Sequence, residues 1–221
     1  MAGVPSFTVL ARRPDARLDE LALAMAGEFG AVDAASALAT LDVLGADLAK
    51  VLAGTDRTPA VEARACAALL GDRHGFTGDR EQYDDPENSM LDRVLSRRRG
   101  LPILLSVVYV EVARRAGVAL AGVGLPGHFV VGHFGGPAPL LIDPFAAGAP
   151  VRGDHPAELV RPWSPHEIAL RMLNNLVGSY QLRGHVAAAI RAGELRLALP
   201  AEETLHDALR TELRKLRARL N

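Results

Sequence analysis

The sequence predicts an α+β fold, on three observations. The chain begins with Ala/Leu-rich stretches whose apolar positions recur at helical spacing. Its middle carries two strand-like runs on either side of a Gly/Pro breaker, and its end returns to helical spacing. Helices, then a small and mostly antiparallel sheet, then helices again is the order of an α+β protein.

From Leu18 to about Leu52 the chain reads as helix. Leu18, Leu21, Ala22 and Met25 form one apolar stripe, Leu41, Leu44 and Leu48 form another, and Asp33 is placed to cap the second helix. Thr58-Pro59 opens a helix that runs through Ala60 to Leu70 and ends at Gly71, with Cys66 inside it among alanines. A loop rich in Gly and Asp follows, from Asp72 to Pro86. Asn88 or Ser89 caps the next helix, which reaches about Arg98 and is ended by Gly100. Pro102 is the first residue of a helix over Ile103 to Ala116, stopped by Gly117. It is apolar nearly all round, which makes it central and buried. Val118 to Val123 reads as a strand. Gly127 to His133 and Pro139 to Asp143 then flank the breaker Phe134-Gly135-Gly136-Pro137-Ala138, the pattern of a β-hairpin. After a Pro/Gly-rich stretch, helices resume near His166. Leu176, Tyr180, Gly184, Ala189 and Ile190 match the spacing of a tetratricopeptide helix pair, and one such unit must pack on the rest of the chain to bury its face. Ala201 to Leu220 is amphipathic, with Leu205, Leu209, Leu213, Leu216 and Leu220 on one face.

Composition narrows the function. With 221 residues, 49% hydrophobic and 23% charged, the chain can build a core as one domain with additions or as two small ones. A net charge of −1 argues against broad nucleic-acid or anionic-membrane binding. The single cysteine rules out an intrachain disulfide and points to a reducing compartment. There is no signal-peptide pattern at the start and no apolar run of membrane-spanning length, so the expectation is a cytoplasmic, bacterial-type protein.

The hairpin carries the chemistry. If its turn centres between Gly135 and Gly136, His128 falls directly opposite Asp143 on one face, and a carboxylate beside an imidazole fixes its tautomer as in a nucleophile–His–Asp triad. The same register puts His133 on the other face, in a structural role, and a slip of one residue would exchange the faces. His128 can serve as a general base or as an internal hydrogen-bonding group that pins the hairpin. Ser106 reads as a buried hydroxyl bonded back to its helix or, less simply, as a nucleophile. Cys66 reads as core, Ser89 as a cap, and Tyr109 as core with a satisfied hydroxyl. Asn88 with Asp84, Asp85 and Glu87 completes a helix start or forms a polar rim around a cleft. Arg97-Arg98-Arg99 reads as a solvated last helical turn, with anion binding the alternative. Asp154, His155 and His166 lack metal-like spacing, so no metal and no cofactor is assigned. The last helix mixes Arg210, Arg214, Lys215, Arg217 and Arg219 with acids, which speaks against nucleic acid.

Several separated motifs also point to one family: Tyr83-Asp84-Asp85-Pro86-Glu87-Asn88-Ser89, Arg98-Arg99-Gly100-Leu101-Pro102, Gly124-Leu125-Pro126-Gly127-His128-Phe129, Asp143-Pro144-Phe145 and Arg171-Met172-Leu173-Asn174-Asn175-Leu176. In this order they resemble the bacterial transglutaminase-like proteins with tetratricopeptide tails, the SirB branch of that superfamily. The resemblance implies a papain-like α+β core, in which a central buried helix packs on a small antiparallel sheet between N- and C-terminal helices. Active members carry a cysteine at that helix's N-terminus, with histidine and aspartate on adjacent strands. His128 matches the histidine and Asp143 the aspartate. The place of the cysteine falls on Pro102 to Leu104, where no residue is a nucleophile; branch members often show serine at the position of Leu104. The corresponding division is a helical segment over residues 1–80, a transglutaminase-like core over 81–160 and a tetratricopeptide-like segment over 161–221.

Two functions follow as expectations. In the first, His128 and Asp143 act as an acid–base pair on a small amide, ester or carbonyl compound, with Asn88, Leu104 and Ser106 about the cleft. In the second, the fold is catalytically silent and presents its helical tail to a protein partner. A cysteine-dependent enzyme would require Cys66 to reach His128.

Overall fold

The computed structural model describes residues 4–153 and 155–218, so Asp154, Arg219 and Leu220 lie outside the described residues. The chain opens with helices α1 (Phe7–Ala11), α2 (Leu18–Gly27), α3 (Ala34–Leu52) and α4 (Pro59–Cys66), the last continuing as a π-helical segment, Ala67–Arg73. Strand β1 (Thr77–Gly78), a 3-10 turn (Pro86–Ser89), α5 (Leu91–Arg97) and β2 (Arg99–Gly100) lead into α6 (Pro102–Arg115). Strands β3 (Leu120–Leu125), β4 (His128–His133) and β5 (Leu140–Asp143), a 3-10 turn (Pro144–Ala146) and β6 (Ala149–Pro150) follow. Helices α7 (Pro165–Leu182), α8 (Val186–Arg196) and α9 (Glu203–Arg217) close the chain. The α+β expectation holds.

The sheet is an antiparallel meander in the order β3-β4-β5-β6, and β1 and β2 form a separate parallel pair. Strand alternation divides the meander. Phe129, Val131 and Ile142 join the main core with α6, whereas Val123, Leu125 and Val130 form a small cluster on the other face. The main core is continuous from Phe7 to Leu216, and α6 supplies its middle: Leu104, Leu105, Val108, Tyr109 and Val112 are all fully buried. Leu18, Leu21, Ala22 and Met25, and Leu41, Leu44 and Leu48, are buried as their spacing predicts, and the Asp33 carboxylate caps α3 by accepting from the Ser36 amide at 3.0 Å. At the tail, Leu209, Leu213 and Leu216 are buried, while Leu205 stays exposed.

Several local expectations are corrected. Gly71 does not end the helix, which runs on to Arg73; a Cβ there would strike the Ala147 carbonyl, so this glycine permits a close backbone approach. Neither Asn88 nor Ser89 caps α5. Both are buried, Asp85 caps the preceding 3-10 turn, and α5 starts after Met90 with no side-chain cap. That helix ends on Arg98, in the left-handed region at φ 57°, and Gly100 lies beyond it in β2. The Tyr109 hydroxyl is buried with no hydrogen-bond partner among the described residues.

The hairpin register also differs from the expected one. Val131 pairs with Ile142 and His133 with Leu140, so Asp143 stands opposite Val130 and not His128. The shift is two residues, and a period of two preserves the face. His128 and Asp143 are therefore diagonal neighbours on one side, a separation that long side chains bridge.

Candidate functional site

His128 opens β4 directly after the Pro126-Gly127 turn, which closes with the Leu125–His128 pair and holds Gly127 at φ 69°. Proline pre-sets its own φ and glycine accepts the positive one, so the dipeptide fixes where the histidine emerges. Asp143 ends β5 and caps the next 3-10 turn. Its Oδ1 accepts from the Phe145 amide at 2.9 Å, and its Oδ2 lies 2.9 Å from His128 Nε2. A carboxylate accepts both bonds, so Nε2 carries the proton and donates. Nδ1 is then the nitrogen with the free lone pair, and it makes no hydrogen bond among the described residues. The imidazole remains 32% exposed. A base held in one tautomer, with its other nitrogen open to solvent, is equipped to take a proton from water or from a bound substrate.

An aromatic wall flanks the pair. Phe145 meets His128 edge-on with ring centroids 6.3 Å apart, Tyr83 meets Phe145 at 6.0 Å, and the Arg80 guanidinium lies over the Phe145 ring at 5.1 Å. Gly78 in β1 has no room for a Cβ because the Phe145 ring occupies that space, and Thr77 Oγ1 donates to the Phe145 carbonyl at 3.4 Å. Sequence reasoning missed Arg80 and Gly78. Phe145 and Tyr83 stood in recognisable motifs, but Arg80 and Gly78 sit in an aperiodic loop, where no spacing assigns a partner.

The three remaining candidates lie beneath the surface. Leu104 is fully buried in α6 and Ser106 is 1% exposed, with its hydroxyl donating to the Pro102 carbonyl at 2.8 Å. That is the ordinary back-bonded serine of a helix interior. Asn88 is also fully buried. Its side-chain amide donates to the Gln82 carbonyl at 2.7 Å and to Asp79 at 3.3 Å, and its backbone carbonyl accepts from the Leu101 amide at 3.0 Å. Asn88 thus ties the 79–82 loop to the entry of α6. Nearby, Arg97 forms ion pairs with Asp79, Asp85 and Glu87, which accounts for much of the acidic cluster.

Cys66 belongs to a different cluster. Burial pushes its thiol up to about 12, with the Glu62 carboxylate adding to the effect. Glu62 itself bonds His133 Nε2 at 2.7 Å and Arg57 at 2.6 Å, and His133 Nδ1 accepts from the Gly135 amide at 3.1 Å. His133 is therefore a buried hydrogen-bonding group on the face opposite His128. Three cavities, one beside α4 and β5, one beside Phe29 and Tyr180 and one beside Leu120 and Trp163, are lined by neither His128 nor Asp143. Among the described residues no group of three or more His, Cys, Asp and Glu side chains could hold a metal, and no helix is long and apolar enough to cross a membrane.

A buried central helix, an antiparallel meander and a His–Asp pair on adjacent strands define a class. Residues 35–175 match the family model of the transglutaminase-like superfamily, and the chain belongs to that superfamily. Among its relatives are UPF0162 proteins. One from Pseudomonas aeruginosa is 32% identical over 213 residues, covering 90% of this chain and 78% of the relative. One from Xylella fastidiosa strain 9a5c is 36% identical over 153 residues, covering 60% of this chain and 54% of the relative, so the chain spans about half the length of that protein. Human F-box only protein 21 is 40% identical over 63 residues, which are 28% of this chain and 10% of that one. No solved structure matches the chain.

Proposed function

We propose that this chain is an acid–base enzyme of the SirB branch of the superfamily, acting on a small amide, ester or carbonyl compound without cysteine chemistry. The observation that carries the reading is the 2.9 Å bond from His128 Nε2 to Asp143, with Nδ1 free on a ring one-third exposed. In an ester or amide hydrolysis, Nδ1 takes a proton from the attacking water as the water oxygen bonds to the acyl carbon. Asp143 offsets the charge of the imidazolium, which then returns the proton to the departing oxygen or nitrogen. Residues 81–160 supply this chemistry, residues 1–80 brace it, and residues 161–221 form the tetratricopeptide-like tail. Its setting would be the cytoplasm, and its partner a small molecule.

The test is hydrolysis of aryl esters and aryl amides by the purified chain, compared with His128→Ala. The variant is expected to lose about 10²–10⁴-fold in rate with an unchanged melting temperature. Turnover by the native chain no higher than that of the variant contradicts the reading.

The second reading, a silent binding protein, has two observations in its favour: no cavity described above is lined by His128 or Asp143, and the first turn of α6 carries no thiol or hydroxyl, with Ser106 one turn on already bonded. Docking through the tail has little apolar surface to use. Among the described residues of that segment, only Leu182 and Leu205 are large, apolar and exposed.

A further inference from the structure

A cavity of about 1080 Å3 lies apart from the His–Asp pair, between α4 with its π-helical continuation and the β5–β6 margin of the sheet. Its volume lies just above the ~300–1000 Å3 range of small-molecule sites. One wall carries Ala63, Ala67 and Ala68, whose small side chains leave the space open; the facing wall carries Leu140, Leu141 and Val151.

Polar groups enter this apolar lining at a few points. Arg64 lines it and makes no ion pair or side-chain hydrogen bond among the described residues. Asp72 lies on the same wall eight residues further on, in the π-helical segment, and it too has no ionic partner among them. His155 lines the cavity with its Nε2 buried and unbonded. The unpartnered Tyr109 hydroxyl sits immediately behind the wall at Gly148, 3.1 Å from where a Cβ would stand. A cavity that is apolar along its length, cationic at one place and anionic further along sets the direction in which a charged amphiphile lies.

We propose that this cavity binds a free aliphatic carboxylate of medium or long chain, with its head group on Arg64 and its chain along the alanine wall. The guanidinium offers the planar fork that fits a carboxylate. Asp72 repels the head group from the far end and so fixes the orientation. The site does not depend on the acid–base reading of His128, since neither His128 nor Asp143 lines it.

The experiment is calorimetric titration of the full chain with dodecanoate, below its micelle concentration, and with dodecanol, below its solubility limit. Dodecanoate is expected to bind saturably at one site and the alcohol about tenfold or more weakly. Arg64→Ala, an exposed position, should bring dodecanoate down to the level of the alcohol. Ala68→Trp, also exposed, should abolish binding of both while the melting temperature confirms folding. Equal binding of dodecanoate and dodecanol, no saturable dodecanoate binding, or an unaffected Arg64→Ala variant overturns the proposal. So does concentration-dependent self-association that Ala68→Trp abolishes without any dodecanoate binding, because the cavity is then a contact between copies.

Discussion

Asp143 divides its two oxygens between two donors, the Phe145 amide and the His128 ring, and so holds a turn and a tautomer at once. Replacing it disturbs both roles, which is why His128 is the cleaner substitution for testing chemistry. The other potential nucleophile is disarmed by its surroundings. The Cys66 thiol is buried and raised from 9.0 to about 12, so it stays protonated in the folded protein at pH 8. Native protein at that pH should resist a maleimide, and unfolded protein should react within minutes; rapid labelling of the folded chain contradicts this. The sign for stability follows from the same shift. A folded value above the unfolded one contributes stability that is fully present below pH 9 and is lost as the pH climbs toward 12. At this scale the pairing of His128 with Asp143 was legible because strand parity depends only on a period of two. The actual register was not, since Pro137 and Pro139 allow more than one loop. The empty hydrogen-bonding capacity of Tyr109 was equally hidden, because what surrounds a buried hydroxyl is decided by distant segments.

The helices were the most legible elements. α2 and α3 follow apolar periodicity, α6 is apolar nearly all round between Pro102 and Gly117, and the Thr58-Pro59 start of α4 follows capping chemistry. Ends and irregular segments were less so. Gly71 looks like a helix terminator along the chain, yet it lies inside the π-helical segment, where the Ala147 carbonyl crowds it. Gly71→Ala would improve an isolated helix. Here it should destabilise the protein by about 1–3 kcal/mol through overpacking, measured by urea denaturation. A stabilised Gly71→Ala protein would show that the Ala147 contact is not as described. The same logic explains Asn88, which by sequence suits a cap but is turned inward to join the 79–82 loop to α6.

At the scale of the molecule, one buried ionic cluster fastens α6 to the N-terminal helices. Asp19 is fully buried and Glu111 nearly so; Arg115 bonds Asp19 at 2.6 Å, Glu111 at 2.8 Å and Asp42 at 2.6 Å. Burial, followed by the charge of Asp19, holds the Glu111 carboxyl above its ordinary value. Arg115→Met removes the most buried cation of the cluster but leaves Arg17 on Asp19 and Arg114 on Glu111, each at 2.8 Å, so it should cost about 1–3 kcal/mol, read from the denaturation midpoint; a loss below about 1 kcal/mol would mean that the cluster behaves as a surface pair. No spacing in the sequence announces this network, because Asp19 and Arg115 lie 96 residues apart. All of this packing serves to fix where β4 begins and β5 ends, and hence where the imidazole meets its carboxylate. That meeting is tested most directly by long-range 1H–15N correlation of the His128 ring in the intact chain near pH 8. The predicted spectrum shows the proton on Nε2 and an unprotonated Nδ1, with the preference lost in Asp143→Asn. A proton on Nδ1 in the native chain, or a tautomer indifferent to Asp143→Asn, would contradict the account.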